Sequence, residues 1–374
     1  MSNRVVVVGG GSWGTTVAHL AAHNEPTVLW CRDGAIAASV NQDHVNPRYL
    51  DGFELHPELR ATTDLEGSVA EAEVVVMGVP SSVFRPVMEQ VAPHLRPWVP
   101  VVSLTKGLER GTRLRMTEIV NRVAPAHPAG ALTGPNLAKE ILAGHAATSV
   151  IAMADHTVAT ALQAVLSTDR FRVYTNDDVV GCELGGTLKN VIALASGMVD
   201  GLEAGDNTRA AVITRGLAEM GRLGMAMGGR ADTFAGLAGM GDLLATCMSP
   251  QSRNRHVGEQ LGRGRKAKEV LAGLDQVAEG VFTAGVVVEL AAEHGVEMPI
   301  SAEVYAVIKG TRTAAEASMV LMGRQSRPEP EADPAHRSRL ARAWRLVVPD
   351  RGSPADRSGS RLARLWRRIT RPSR

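Results

Sequence analysis

The sequence predicts an α/β protein in two parts: a doubly wound sheet at the N-terminus, followed by an all-α C-terminal domain. Three observations carry that prediction. A run of valines leads straight into a glycine-rich turn, strand and helix patterns alternate to about Asp177, and only long helical patterns follow Asp178. With 374 residues the chain can hold two substantial domains, at about 150 residues per domain. The expected boundaries are 1–178 for the sheet, 179–325 for the helices and 326–374 for a basic tail.

The opening stretch reads Arg4-Val5-Val6-Val7-Val8-Gly9-Gly10-Gly11-Ser12-Trp13-Gly14. Four consecutive valines are the pattern of a strand buried on both faces, as in a parallel sheet. Gly9, Gly11 and Gly14 take the G-x-G-x-x-G spacing of a Rossmann-type dinucleotide site, and a helix over Thr15 to Ala22 follows. Gly9 permits the tight turn, Gly11 lets a pyrophosphate approach the backbone, and Gly14 lets helix and strand pack closely. The first N–H groups of that helix face the anion. A second strand, Thr27 to Trp30, ends in Cys31-Arg32-Asp33. An acid there favours NAD through the ribose 2′-hydroxyl, and an arginine accommodates the 2′-phosphate of NADP. Both are present, so NADH or NADPH stays open, with Arg32 tilting the reading toward NADPH.

From Asn41 to Asp64, Pro47, Gly52 and Pro57 break the pattern, and loop with a short helix is expected. Glu73 to Val79 is an apolar strand ending at Pro80-Ser81, and Val99 to Leu104 is another ending in Thr105-Lys106-Gly107. Ligands sit outside the carboxyl ends of such strands, so Lys106 is placed to meet a phosphate or a polarised carbonyl. Ala131-Leu132 leads into Thr133-Gly134-Pro135-Asn136-Leu137-Ala138-Lys139-Glu140, and two short strands follow at Thr148 to Met153 and Phe171 to Tyr174. This alternation is that of a doubly wound sheet.

In the first long helix, Gly181 to Asp200, Leu184, Leu188, Val191, Ile192 and Ala195 form an apolar stripe. Lys189 and Asn190 interrupt it beside the Gly185-Gly186 pair. A lysine desolvated among small residues has the depressed pKa that proton transfer needs. Snorkelling from a core helix is the plainer account, but Gly236 to Leu244 then delivers Asp242 at a helix start. Ser249 to Arg255 surrounds Arg253 with polar donors suited to a phosphate. Lysine, carboxylate, arginine and dinucleotide are what hydride transfer to a small phosphorylated ketone requires.

These blocks resemble the soluble NAD(P)-dependent glycerol-3-phosphate dehydrogenases from about Arg4 to about Gly323. The resemblance is carried by Gly9 to Gly14, Thr105-Lys106-Gly107, Thr133 to Glu140, Leu188-Lys189-Asn190-Val191, Gly239 to Leu243, Gln251 to Arg255 and Glu279-Gly280. It implies interconversion of dihydroxyacetone phosphate and sn-glycerol 3-phosphate, the backbone of glycerophospholipids. It implies Lys189 as the proton donor, with Asp242 beside it to orient it and tune its charge. Substrate contacts would come from Lys106, Gly134, Asn136, Lys189, Asp242, Ser252, Arg253 and Asn254. Cofactor contacts would come from Gly9, Gly11, Ser12, Trp13, Gly14, Arg32, Lys106, Ala138, Arg253, Val277 and Glu279. Many relatives carry a hydroxyl residue where Asn136 stands; a carboxamide can still hydrogen-bond a substrate. The resemblance also implies a homodimer.

Rival readings are specific. Tyr305 and Lys309 match the Tyr-x-x-x-Lys spacing of short-chain dehydrogenases, but they lie in the helical region. Two-domain dehydrogenases of hydroxyacyl, sugar-acid or ketopantoate type need a surface for a larger or carboxylate substrate, which the Gln251 to Arg255 cluster does not offer. A non-catalytic dinucleotide sensor would have no need of Lys189 and Asp242.

Composition fits a globular, soluble main body, with 44% hydrophobic and 21% charged residues, and three scattered cysteines fit a reducing cytosol. No leader or membrane-spanning run is read in the sequence. Cys31, Cys182 and Cys247 are far apart, so neither a disulfide framework nor a metal cluster is indicated. Residues 331–374 hold 12 arginines and four acids, a net of +8, so the remaining 29 basic and 35 acidic residues leave −6 for the body. With Leu362, Leu365, Trp366 and Ile369 on one helical face, the tail is read either as an extension without function or as a basic amphipathic helix in weak contact with anionic lipid. No specific nucleic-acid partner is expected.

Overall fold

The structure is a computed structural model that describes residues 4–273 and 278–325. In chain order its elements are β1 Val5–Val8, α1 Ser12–Ala21, β2 Thr27–Trp30, α2 Gly34–Asp43, β3 Arg60–Thr62, α3 Leu65–Ala70, β4 Val74–Met77, α4 Phe84–Val91 and β5 Val101–Ser103. There follow α5 Met116–Val123, β6 Ala129–Thr133, α6 Ala138–Leu142, β7 Ala147–Met153, α7 His156–Leu166 and β8 Phe171–Asn176. The helical part comprises α8 Val179–Gly201, α9 Gly205–Ala226, α10 Ala231–Ala235, α11 Asp242–Met248, α12 Arg253–Gly262, α13 Ala267–Ala272, α14 Glu279–Glu293, α15 Pro299–Ile308 and α16 Ala314–Met322. Sheet and helices fall in one unit, Met1–Gly323.

The eight strands form one sheet in the order β3-β2-β1-β4-β5-β6-β7-β8. Chain order reverses on either side of β1, so the crevice between β1 and β4 is the topological switch point. The valines of β1 serve both faces. Val5 and Val7 pack with Val17, Leu29, Val76 and Val102 on one side; Val6 and Val8 pack with Val75, Phe84, Met88 and Ile119 on the other. All four are fully buried, each contributing about 1.5–3 kcal/mol of apolar transfer. A third apolar cluster lies between α8 and the helices around it, from Leu184 and Leu188 to Val287 and Val304.

The fold class expected from the sequence is the one observed, with two local differences. The stretch expected as loop and short helix contains β3, which pairs with β2 through Val28–Arg60, Leu29–Ala61 and Trp30–Thr62. Three residues are too few to reveal alternation, and β2 rather than the local sequence extends them. In addition, β7 runs antiparallel to β6, and β8 follows β7 in parallel. The return is made by Gly134, at φ +125°, and the one-turn helix α6. The basic tail lies outside the described residues.

Candidate active site

The glycine-rich turn has the geometry its spacing predicts. Gly9 sits at φ +130°, and a Cβ there would lie 2.5 Å from the Gly78 oxygen. A Cβ on Gly14 would lie 2.1 Å from the Gly9 oxygen, whereas at Gly11 nothing comes within 4 Å. Strand and helix are therefore packed at Gly9 and Gly14, while open space is left over Gly11. Helix α1 begins there without a side-chain cap, so its first N–H groups are available to an anion. Ser12 is its first residue. Trp13 stands edge-on to Phe171 at 6.5 Å, and its buried Nε1 has no hydrogen-bond partner. These features fit a dinucleotide pyrophosphate at the head of β1. Arg32 is exposed at the end of the neighbouring strand β2.

Beside the carboxyl end of β6, where Gly186 meets Thr133, α8 presents Lys189. Two glycines one turn earlier let its neighbours come close. A Cβ on Gly185 would be 2.5 Å from the Ala238 oxygen, and one on Gly186 would be 2.8 Å from Thr133 Oγ1 and 3.3 Å from Lys106 Cγ. The stem of Lys106 and the wide turn Leu237–Gly241 thus rest on bare helix backbone, and they carry Lys106 and Asp242 to Lys189. Asp242 is 1% exposed and Lys189 6%. The carboxylate of Asp242 accepts a hydrogen bond from Lys189 Nζ and one from Lys106 Nζ at 2.7 Å. Lys106 Nζ also donates to the Gly134 carbonyl at 3.0 Å. Lys189 Nζ donates to Thr246 Oγ1 at 2.5 Å, which donates onward to the Asp242 carbonyl at 2.7 Å. An ammonium has three donors; the third remains for a ligand oxygen. Burial pushes the Lys189 ammonium down to about 8, with the like charge of Lys106 adding to the effect and Asp242 opposing it.

The other expected contacts surround this cluster. Asn136 Nδ2 donates to Ser149 Oγ at 3.1 Å, which donates to the Thr133 carbonyl at 2.8 Å. Asn136 Oδ1 and Thr133 Oγ1 are buried without partners, an arrangement that invites a polar ligand. Ser252 caps α12 by accepting from the Arg255 N–H at 3.2 Å, and Arg253 is the first residue of that helix. Arg253 has accessible surface, yet protein surrounds it closely enough for desolvation to depress its pKa, opposed by Glu279. Both properties hold for a side chain lining a cleft. Glu279 opens α14 and accepts from the Ser81 N–H at 3.2 Å; burial raises its pKa against that bond and against Arg253. Ala138 begins α6. Asn254 is engaged between helices: its Nδ2 donates to Asn190 Oδ1, and its Oδ1 accepts from the Gly280 N–H, both at 3.0 Å. Val277 lies outside the described residues.

The profile of the NAD-dependent glycerol-3-phosphate dehydrogenase N-terminus matches residues 4–159, and that of its C-terminus residues 178–319. The chain belongs to this family. Glycerol-3-phosphate dehydrogenase [NAD(P)+] 2 of Sphingopyxis alaskensis is 58% identical over 84% of this chain and 94% of its own length. The Mycobacterium tuberculosis enzyme of the same description, numbered 1, is 56% identical over 84% and 92%. The crystal structure of glycerol-3-phosphate dehydrogenase from Coxiella burnetii superposes with a TM-score of 0.82 at 36% identity, covering 86% of this chain and 99% of that one. The blocks that carry the dehydrogenase resemblance in the sequence converge on the crevice described above.

Two partners of the cluster were not assigned a role from sequence. Thr246 lies one turn after Asp242, a helical spacing that could have pointed to it. Asn190, next to Lys189, bonds to Asn254. The rival Tyr305 packs its ring on Gly285, 3.0 Å from where a Cβ would stand, in the helical core.

Proposed function

We propose that this crevice catalyses the reaction of the glycerol-3-phosphate dehydrogenases, with Lys189 as its acid and base. The chain is an NAD(P)-dependent oxidoreductase acting on a CH–OH group, and it interconverts dihydroxyacetone phosphate and sn-glycerol 3-phosphate for glycerophospholipid synthesis. The supporting observation is the buried Lys189–Asp242–Lys106 cluster in a chain of this family that also carries the glycine-rich turn. Hydroxyacyl, sugar-acid and ketopantoate chemistry is not favoured, nor is a sensor without turnover.

When bound, the reduced nicotinamide supplies a hydride to C2 of the ketone. Lys189 donates its proton to the carbonyl oxygen, so hydride and proton together make the alcohol. In the reverse direction the neutral amine takes the hydroxyl proton. Asp242 keeps the ammonium aimed, and Thr246 fixes it from a second side. Lys106, held by Asp242 and the Gly134 carbonyl, adds positive charge at the oxygen that becomes negative. Arg253, beside the Ser252 cap, is the guanidinium for the substrate phosphate, and Asn136 Oδ1 is an acceptor for a substrate hydroxyl. Phosphate binding energy then positions the carbonyl. Residues 1–178 would serve the cofactor and residues 179–325 the acid and the phosphate.

The test is oxidation of NADPH and NADH with dihydroxyacetone phosphate, by wild type and Lys189→Ala. Turnover should fall by about 100- to 10,000-fold in the variant while nucleotide binding persists. An unchanged rate would remove Lys189 from the chemistry.

The same reading proposes a cytoplasmic enzyme and a homodimer; the support for the dimer is exposed apolar side chains on the helical part, among them Met248 at 66% and Met319 at 67%. Sedimentation at two protein concentrations tests the dimer. Contact of residues 331–374 with anionic lipid is a further proposal, resting on their +8 charge. Among the described residues no helix is long and apolar enough to cross a membrane.

A further inference from the structure

The end of β2 carries an arginine and an aspartate that pull cofactor preference in opposite directions, and the structure gives them unequal roles. Asp33 is the N-cap of α2. Its Oδ1 accepts the Ala35 N–H at 2.9 Å, and its Oδ2 lies 3.4 Å from the guanidinium of Arg48. The carboxylate is thus occupied by a helix start and by a cation. Arg32, beside it, is exposed and has no ion-pair partner among the described residues.

Arg48 is brought to this place by a built turn. Asn46, fully buried, donates through Nδ2 to the Gly10 carbonyl at 3.0 Å and to Thr15 Oγ1 at 2.9 Å. Its own carbonyl accepts from the Leu50 N–H at 2.9 Å, closing a turn over residues 46–50. The turn is therefore anchored on the glycine-rich loop itself, and Arg48 stands on it, 5.3 Å from the Tyr49 ring and beside Asp33. Exposed pairs such as Arg48–Asp33 are weak, and a phosphate dianion offers an arginine a stronger, bidentate partner.

We propose that Arg48 is a specificity-determining residue that joins Arg32 in binding a phosphate on the 2′-oxygen of the adenosine ribose, while Asp33 caps α2 and holds Arg48 rather than reading the ribose hydroxyl. The chain accordingly prefers the 2′-phosphorylated dinucleotide. The proposal rests on the dinucleotide site at Gly9–Gly14.

Calorimetric binding of 2′,5′-ADP and 5′-AMP to the full-length chain tests it, since the two probes differ only in the 2′-phosphate. Wild type should bind 2′,5′-ADP more tightly. Arg48→Gln should weaken 2′,5′-ADP about tenfold and leave 5′-AMP within about twofold, with Arg48→Lys in between. Asp33→Asn keeps a capping side chain and frees Arg48, so it should tighten 2′,5′-ADP without weakening 5′-AMP. Equal weakening of both probes by Arg48→Gln, or none, overturns the proposal while leaving the dinucleotide site intact. Loss of 5′-AMP binding in Asp33→Asn overturns it too, by returning Asp33 to the ribose. Failure of wild type to bind either probe would remove the dinucleotide site and the proposal together.

Discussion

At the scale of single residues, the central matter is a lysine placed where a charge is expensive. Lys189 is buried on a helix whose residues 181–199 are all buried, and desolvation is what brings its pKa to about 8 from the ordinary 10.5. In the proposed reaction protonated Lys189 is the acid for reduction, so kcat/KM for ketone reduction should fall as pH rises through about 8. The oxidative direction, which needs the neutral amine, should rise over the same range. Stability follows the same group. The native state binds fewer protons than the unfolded chain between about 8 and 10.5, so this residue's contribution to stability grows as pH climbs through that window. Replacing it with methionine should flatten both profiles, seen in rate–pH curves and in thermal melts across pH. Thr246 gives a finer test. Thr246→Val removes one of the two oxygens that hold Nζ and should lower kcat about tenfold. The apparent pKa of the rate profile should shift further down, a readout that a purely structural loss would not move.

At the scale of elements, close approach decides where the charged groups go. Gly185 lets the turn Leu237–Gly241 lie directly on α8, and a Cβ there would meet the Ala238 oxygen at 2.5 Å. Gly185→Ala should therefore displace Asp242 from Lys189. We expect overpacking of about 1–3 kcal/mol in urea unfolding, with a loss of kcat larger than that destabilisation accounts for. A second junction ties the sheet to the same helix. Glu183 of α8 accepts from Arg115 at 2.6 Å and from the Thr117 N–H at 2.9 Å, and its side chain is 5% exposed. Burial raises its pKa, with Arg115 and Thr117 opposing. Glu183→Ala leaves the Thr117 N–H and hydroxyl without their acceptor and Arg115 with only Glu118, at 3.3 Å, as its ion-pair partner among the described residues, at a cost of about 1–3 kcal/mol, measurable as a lower urea midpoint with unchanged slope. Both junctions were visible in sequence only as residue types in a helix; neither Arg115 nor Thr117 carries a local signal.

At the scale of the whole molecule, two differently built parts share one crevice. The sheet offers strand ends and an uncapped helix; the helical part offers Lys189, Asp242 and Arg253. The family profile ends at residue 319, so the basic tail should be dispensable for chemistry. Removing residues 331–374 should leave kcat/KM within about twofold. In sedimentation with anionic liposomes the truncated chain should bind less than the full one, and equal binding would end the lipid proposal.

What the sequence determined by itself was whatever repeats or breaks at short range. The valine run, the spacing of Gly9, Gly11 and Gly14, and the change to helical period after Asp178 each act within a few residues, so the fold class and the geometry of the glycine-rich turn were legible. The motif blocks likewise marked Lys106, Lys189 and Asp242 one by one. Only the tertiary structure decided that they share hydrogen bonds, because Lys106 and Asp242 are 136 positions apart and meet through two glycines that carry no charge and no pattern. It also decided the antiparallel return at β7, the existence of β3, and the duty of Asp33. A carboxylate is an open acceptor in sequence; here the Ala35 N–H of α2 and the guanidinium of Arg48, 15 positions on, use it. Short-range periodicity fixes elements, and desolvation and close contact between distant segments fix what their side chains do.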